Sequence, residues 1–320
     1  MFEKLSRCAL VLVCVALFIC SKAQALDKKE SLALSHYIMG VMYEDLGDVD
    51  KAIEEYQKAA KADLGTAAIH VSLASGYIKK NDIPRAIEEL KMAIVIDPEA
   101  IEPHAILAIL YSSENKLDLA TAEYELALKG ASKLEPKNVG IYKGLGAIYL
   151  QQRKLSDAEN AYRLITDLAP DDAEAHFYLG SIYNELKNNT LAEKELKRAI
   201  ELKADYVEAL NFLGYVYVEA GRNLDRAETM IKKALSLDPD NGAYVDSLGW
   251  LYFKKNKFKE AVKELEKASS LLDDPVIYDH RGDAYFKVGE IEKAKQSWQK
   301  SLKLDPKQDK VKDKLEKLNK

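Results

Sequence analysis

Apolar positions recur at intervals of three and four residues, in stretches of roughly 14 residues separated by short polar turns. This spacing gathers the apolar side chains on one face of a helix, so each stretch predicts an amphipathic helix. Eight tyrosines recur in register with this pattern, at intervals of 33 to 38 residues: Tyr43, Tyr77, Tyr111, Tyr149, Tyr183, Tyr217, Tyr252 and Tyr285. A glycine or alanine stands three residues before each tyrosine, and an alanine follows nine or ten residues after it. The chain is therefore expected to be a tandem array of two-helix repeats.

Each recurring residue has a physical reason for its place. The small residue on the first helix and the alanine on the second allow the two backbones to approach closely where the helices cross. The tyrosine fills the space between neighbouring repeats, while its hydroxyl reaches a polar partner. Proline cannot continue a helix, and four prolines are expected to stop the second helix of their repeat: Pro98, Pro170, Pro239 and Pro306.

The seventh repeat shows the pattern clearly, with Leu248-Gly249, Tyr252, Ala261, Leu265 and Ala268. In these positions the chain resembles the tetratricopeptide repeat (TPR) family. The resemblance implies an all-α fold, a right-handed α-solenoid of about eight TPR helix pairs whose first helices line a concave groove. The expected array covers residues 33–308, in repeats near 33–66, 67–100, 101–138, 139–172, 173–206, 207–241, 242–274 and 275–308.

Two stretches depart from the regular repeat. The third repeat carries extra residues within 129–138, which predicts a boundary between repeats 1–3 and repeats 4–8. After the last repeat, the tail at residues 309–320 places Val311, Leu315 and Leu318 on one helical face. This amphipathic segment predicts a helix that caps the open end of the stack.

Residues 1–25 have the features of a signal peptide. Lys4 and Arg7 form a short basic region before 13 apolar residues, and the sequence Ala-Gln-Ala follows at residues 23–25. Small residues in this arrangement precede a signal peptidase cleavage site. We expect cleavage after this sequence, a short lead-in over residues 26–32, and export to the periplasm.

All three cysteines lie in this segment, at Cys8, Cys14 and Cys20, so that the exported chain would contain no thiol. Acylation of Cys20 is the alternative, which would make the protein a membrane-anchored lipoprotein. Phe18 and Ile19 are large, however, where lipoprotein signals have a small residue before the cysteine. An uncleaved N-terminal anchor is the remaining option, and contact with a membrane is expected only through such a lipid or signal anchor.

No group of side chains in the sequence suggests catalysis. Four histidines occupy the same repeat position: His36, His70, His104 and His176. On packed helices about 8–10 Å apart they are not expected to converge on a metal ion, so we interpret them as packing residues. The pairs Glu54-Glu55 and Glu88-Glu89 are interpreted as solvated surface. Without a nucleophile motif or a glycine-rich phosphate loop, we expect no catalytic residue, no metal, no cofactor and no enzymatic activity.

The groove positions of the TPR family, carried onto this chain residue by residue, fall on aromatic and polar side chains in the C-terminal half. They are Phe177, Asn184, Asn211, Tyr215, Asp246, Trp250, Phe253, Asp279, Asp283 and Phe286. Exposed aromatic side chains beside charges are typical of binding hot spots. The resemblance thus implies that this groove binds an extended segment of another protein, and the lining suits a positively charged or aromatic-bearing segment. The alternative is that the aromatic residues pack against each other or under the tail helix.

Repeats 6–8 carry a further resemblance, in residues 213–215, 237–244 and 246–250, to bacterial envelope TPR proteins that include lipoprotein adaptors of processing proteases. It implies a scaffold or adaptor in the cell envelope whose partner is an envelope protease or an assembly complex. The alternative is a structural subunit of a secretion, pilus or outer-membrane assembly machine. A net charge of −5 argues against a nucleic acid as partner, because nucleic-acid binding depends on clustered lysine and arginine.

Overall fold

The computed structural model describes residues 28–63 and 65–318, and the predicted signal peptide, residues 1–25, lies outside them. Within the described residues the chain is all-α and contains no strand. The helices divide between two compact units, the first of which ends at Pro136. This division falls at the extra residues 129–138, where the sequence predicts a boundary.

In the part of the chain that the structure describes, the first unit contains three helix pairs: α1 (Lys28–Asp45), α2 (Val49–Ala62), α3 (Ala67–Lys79), α4 (Ile83–Ile96), α5 (Ile101–Ser113) and α6 (Leu117–Leu134). The second unit contains five pairs and a single final helix: α7 (Val139–Gln151), α8 (Leu155–Leu168), α9 (Ala173–Glu185), α10 (Asn189–Leu202), α11 (Val207–Glu219), α12 (Leu224–Leu237), α13 (Gly242–Lys254), α14 (Phe258–Leu271), α15 (Pro275–Lys287), α16 (Ile291–Leu304) and α17 (Asp309–Leu318). α1 thus includes most of the expected lead-in. None of these described helices combines the length and the apolar character that crossing a membrane requires.

The second helix of the third repeat is longer than its counterparts. α6 has 18 residues, whereas the second helix of every other repeat has 14. An α-helix has about 3.6 residues per turn, so the extra residues of this repeat extend α6 by one turn. The irregularity in the sequence is therefore a helical extension at the end of the first unit.

The turn between the two helices of each repeat contains a residue in the left-handed conformation. It is glycine at Gly47 and Gly289, and asparagine in four repeats, as at Asn81 with a φ of 59°. Glycine and asparagine adopt positive φ more readily than other residues do. The next helix then begins with a capping side chain in several repeats, and Asp82 accepts a hydrogen bond from the backbone N–H of Arg85. Local sequence thus favours the reversal in six of the eight repeats, whereas Arg153 and Lys187 adopt the left-handed conformation in repeats 4 and 5.

The small residue of each first helix faces the second helix of its repeat. A Cβ atom on Gly249 would lie 2.6 Å from Leu265 Cγ, and one on Gly282 would lie 2.4 Å from the Trp298 ring. The sequence predicts that the glycine allows the backbone of the second helix to approach closely. In the structure, the atoms nearest to the glycine instead belong to a large side chain of the second helix. The backbone nitrogen of Leu265 is farther away, at 3.3 Å. The alanine of the second helix is buried as expected, and Ala261 is fully inaccessible.

Six of the eight marker tyrosines are buried, and the hydroxyl groups of Tyr77, Tyr217 and Tyr285 reach polar partners as expected. Tyr217 donates a hydrogen bond of 2.8 Å to Glu193, and the Tyr77 hydroxyl accepts one of 2.9 Å from the Gln57 amide. Both partners belong to the second helix of the preceding repeat. The tyrosines therefore couple neighbouring repeats through packing and through hydrogen bonds.

The four histidines at the shared repeat position join the two helices of their repeat. Their Nδ1 atoms lie 2.6–2.7 Å from a glutamate carboxylate 19 residues later, in the pairs His36–Glu55, His70–Glu89, His104–Glu123 and His176–Glu195. Three of these histidines are buried, which confirms that they are structural residues. The expectation that Glu55 and Glu89 belong to a solvated surface is wrong, because each carboxylate turns toward its histidine. The side chain of Glu55 is 15% exposed and that of Glu89 is 24% exposed.

Candidate partner-binding groove

The ten predicted groove residues lie on the first helices of repeats 5–8, within the second unit. Phe177 and Asn184 belong to α9, Asn211 and Tyr215 to α11, Asp246, Trp250 and Phe253 to α13, and Asp279, Asp283 and Phe286 to α15. The structure gives them very different surroundings. Some are buried against neighbouring side chains, some are paired with the tail helix, and some have no polar partner.

Trp250 is the centre of a buried stack on α13 and α15. Its ring lies 4.6 Å from that of Phe253 and 4.0 Å from that of His280, with interplanar angles of 12° and 9°. Its indole N–H donates a hydrogen bond to Glu219, and Asp246 lies 3.0 Å from His280 Nδ1. Only 8% of Trp250 and 6% of Asp246 is exposed, so the expectation that they are exposed is wrong. The alternative, in which the groove aromatics pack against each other, holds for this stack.

His280 is a structural residue beside the groove that the repeat pattern does not predict. It lies two residues beyond the position that the other four histidines share, so the repeat pattern gave no signal for it. Burial alone would lower the pKa of His280, but the Asp246 carboxylate more than offsets this, and the net pKa is raised. When it is protonated, the imidazole balances the charge of the buried Asp246 carboxylate, and the contact joins repeat 8 to repeat 7.

Asp279 and Asp283 form an acidic end of the groove that the tail helix α17 covers. Lys314 of α17 lies 2.6 Å from Asp279 Oδ1 and 2.7 Å from Asp283 Oδ1. The Trp298 indole N–H also donates a 3.2 Å hydrogen bond to Asp283. Burial raises the pKa of Asp283, and Lys314 partly offsets this rise. The two carboxylates therefore have a cation from the protein's own tail, a pairing that the sequence did not predict.

The aromatic residues at the two ends of the predicted set also differ. Phe177 is half-buried among other rings, at 5.2 Å from Tyr206 and 6.1 Å from Phe212. Phe286 remains 44% exposed, although its ring lies 5.9 Å from that of Trp298. Phe177 thus belongs to the packing of repeats 5 and 6, whereas Phe286 presents part of its ring to solvent.

Asn184, Asn211 and Tyr215 are the predicted residues with unused hydrogen-bonding capacity, and we call these three residues the open subsite. Each is half-buried, and none of the three side chains forms a hydrogen bond with the rest of the described chain. The side-chain oxygen of Asn211 is buried without a partner. Asn184 and Tyr215 line a cleft of about 420 Å³, bordered by Glu219 and Arg222. Burial raises the pKa of Tyr215, and Glu219 and Asp246 add to the rise, so its hydroxyl remains a hydrogen-bond donor.

Models of the tetratricopeptide repeat match residues 33–65, 107–173, 144–207, 207–241, 246–271 and 275–308. Together these segments cover more than half of the chain. The chain belongs to the tetratricopeptide repeat family. The all-α solenoid of TPR helix pairs predicted from the sequence is thereby confirmed. TPR proteins generally bind other proteins and act as scaffolds, and the TPR fold is generally non-catalytic.

Solved TPR structures share this fold. One is a tetratricopeptide repeat protein from Parabacteroides merdae, with a TM-score of 0.57 and 22% identity over 78% of this chain and 97% of that one. Another is the APC/C hetero-tetramer Cut9–Hcn1, with a TM-score of 0.54 and 16% identity over 88% of this chain and 69% of that one. At these identities the likeness shows the fold alone. A comparison with curated protein sequences finds no match.

A larger cleft of about 950 Å³ lies mainly on the second helices of TPR repeats 4 and 5, but most of its charged groups are already paired. Glu193 lies 2.8 Å from both Lys197 and Arg222 and accepts the hydrogen bond of Tyr217. Although burial opposes the change, these contacts lower the pKa of Glu193 to about 2. Among the described residues no group of side chains is arranged to hold a metal ion. The open subsite is therefore the stronger candidate for binding.

Proposed function

We propose that this protein is a scaffold or adaptor of the bacterial cell envelope that binds an extended segment of another protein in the groove of repeats 5–8. The observation that carries the proposal is the open subsite. Its three polar side chains lie on adjacent first helices, are half-buried, and form no hydrogen bond within the described chain. Helix packing alone does not account for this arrangement.

An extended segment is the ligand that such side chains suit. Its backbone N–H and C=O groups need partners when they leave water, and a carboxamide supplies both donors and an acceptor. A buried and unpaired polar atom costs about 1–3 kcal/mol, and the side-chain oxygen of Asn211 is in this state. Because this oxygen is inaccessible as the side chain stands, a backbone N–H of a bound segment would remove that cost once the Asn211 carboxamide turned toward the groove. Asn184 and Tyr215 line the cleft and would contact the segment directly.

The envelope part of the proposal is supported by the sequence. The basic residues, the apolar run and the Ala-Gln-Ala sequence of residues 1–25 suit export, and all the cysteines lie within that segment. A periplasmic protein is the simplest form of this proposal, and a lipoprotein acylated on Cys20 is the other. An envelope protease or an assembly complex is the partner proposed from the resemblance of repeats 6–8.

The test is a selection of peptides from a random library on the purified full chain, followed by affinity measurements on variants. Asn211→Ala is expected to weaken the selected peptides about tenfold, which corresponds to about 1.4 kcal/mol. Tyr215→Phe keeps the ring and removes only the hydroxyl, so a smaller loss in the same direction is expected. Gln296→Ala, on the exposed side of α16, is the matched control and should leave affinity unchanged. Equal affinities for all three variants would contradict the proposal.

A second function, a structural subunit of a secretion, pilus or outer-membrane assembly machine, is favoured by a different observation. The first unit exposes large apolar side chains, with Val95 74%, Ile109 68% and Leu134 75% exposed. Apolar surface of this kind is used for association with other proteins. A subunit of this kind would co-purify with its complex whether or not Asn211→Ala is present.

A further inference from the structure

The tail helix α17 carries a basic segment onto the acidic end of the groove. Residues 307–320 contain six lysines and three acidic residues, a net charge of +3 in a chain whose total charge is −5. Of the six lysines, Lys314 reaches the groove, where its ammonium group lies within 2.8 Å of both Asp279 and Asp283. The same ammonium group lies 5.8 Å from the centre of the Trp298 ring. Two carboxylates and an aromatic ring are a set of groups that selects a cation.

The apolar contacts that hold α17 in place are few. Val311 is the buried residue of this helix, at 1% exposed, and Leu315 and Leu318 are only partly buried against the Trp298 cluster. α17 has 10 residues, and helices of this length are unstable in isolation. The Lys314 contacts therefore add to this packing, and to the hydrogen bonds from the Gln308 amide to Ser301, in holding α17 on the groove.

The negative charge of the acidic end continues along the groove. Asp246, Asp279 and Glu219 all lie near His280, whose Nδ1 atom is 3.0 Å from Asp246, and Lys314 pairs with Asp279. Glu219 also borders the cleft that Asn184 and Tyr215 line. A bound segment that lies along the open subsite would therefore pass from neutral polar groups to carboxylates.

We propose that the acidic end is a subsite for a lysine side chain, that Lys314 is its resident occupant, and that a basic partner segment binds by displacing the tail helix. This inference rests on the proposed function, because it names the chemistry of the partner and the regulation of the same groove. A tethered tail has an effective concentration on the order of millimolar. A lone basic side chain cannot compete with that, whereas a segment that also contacts the open subsite can.

The experiment uses a fluorescently labelled synthetic peptide of residues 307–320 as the probe. The full chain with Val311→Ser and Lys314→Ala has a weakened tail, and it is expected to bind this peptide at least tenfold more tightly than the wild-type chain does. Adding Asp279→Asn and Asp283→Asn should reduce that binding at least tenfold. A peptide with Lys314→Gln should bind at least tenfold more weakly than the original peptide. A peptide with Lys312→Gln is the control and should bind normally, because Lys312 pairs with Asp309 of the tail itself.

Equal binding of the original and the Lys314→Gln peptides would overturn the proposal, as would equal binding to the wild-type and the weakened chains. If the doubly substituted chain aggregates, Lys314→Ala alone is used, and a smaller gain in the same direction is expected. The assay does not depend on Asn184, Asn211 or Tyr215. If the tail-peptide assay gave the opposite result, the proposal that the open subsite binds peptides would still stand. If the library selection failed, the proposal of a lysine subsite would still stand.

Discussion

The first helices of repeats 1–3 and of repeats 5–8 present different side chains at equivalent positions. In the first unit these positions hold mainly small or aliphatic residues: Tyr37, Val41, Val71, Ser75, Ala105 and Ile109. In the second unit they hold aromatic, acidic and amide side chains, including Asn211, Tyr215, Trp250 and Asp283. Ile109 and Trp250 occupy the same repeat position, yet Ile109 is 68% exposed and Trp250 is 8% exposed.

This difference shows that the repeat position alone does not decide whether a side chain is available to a partner. Trp250 is buried because His280 on the next first helix stacks on its ring. Asp279 and Asp283 are paired because Lys314 follows the last repeat. The residues of the neighbouring helix therefore determine which groove positions form a structural contact and which remain open.

The largest effect is expected from removing the centre of the buried stack. Trp250→Ala should lower the free energy of unfolding by about 3–5 kcal/mol, because it leaves a cavity between Phe253 and His280 and removes the donor to Glu219. Ile109→Ala at the equivalent position should change it by less than about 1 kcal/mol. Urea unfolding followed by circular dichroism compares the two, and Trp298 is the remaining fluorescence probe in the first variant. Similar losses for both variants would remove the distinction between the two units.

Much of the fold could be predicted because its determinants are local and repeated. The glycine or alanine before each tyrosine, the alanine after it and the turn residues act within one repeat, so the helix pairs could be predicted from the sequence. The four histidines were correctly interpreted as structural for the same reason. Their glutamate partners were not found, because the interval of 19 residues between His176 and Glu195 corresponds to no familiar motif.

The candidate site was predicted less completely because its contacts cross between repeats. The family positions point to Asn211 and Tyr215, which lie on the groove helix α11. Their lack of partners could not be deduced from sequence, since it depends on which neighbouring side chains fail to reach them. His280 and Lys314 were missed as groove residues because neither stands at a repeated groove position. A sequence pattern that describes one repeat contains no information about such pairs.

An intermediate effect is expected from breaking the buried pair between repeats 7 and 8. His280→Gln leaves the Asp246 carboxylate buried without a cation and should lower the free energy of unfolding at pH 6 by about 3 kcal/mol. The folded-state pKa of His280 is raised above the unfolded value of about 6.5. The stabilisation by protonated His280 is thus fully present below about pH 6.5, and it is lost as the pH rises through the folded-state pKa.

The measurement is the difference in unfolding free energy between the wild-type chain and the variant at pH 6 and pH 9. The carboxylates that face His280 are those of Asp246, Asp279 and Glu219, and a smaller difference at pH 9 is expected. The double variant Asp246→Asn/His280→Gln is the control, because it removes both charges and should recover part of the loss. A difference that is the same at both pH values would show that His280 stabilises the stack by packing rather than by charge.

The smallest effect is expected in the first unit, where Ile109→Ser tests whether the aliphatic groove takes part in peptide binding. The side chain is 68% exposed, so the substitution should change the free energy of unfolding by no more than about 0.5 kcal/mol. If the open subsite is responsible for binding, peptides selected on the full chain should bind Ile109→Ser within about twofold of the wild-type affinity. The same peptides should be weakened about tenfold by Asn211→Ala. A comparable loss of affinity in Ile109→Ser and Asn211→Ala would mean that the groove of the first unit binds the partner as well. Unused hydrogen-bonding capacity would then not distinguish the two regions.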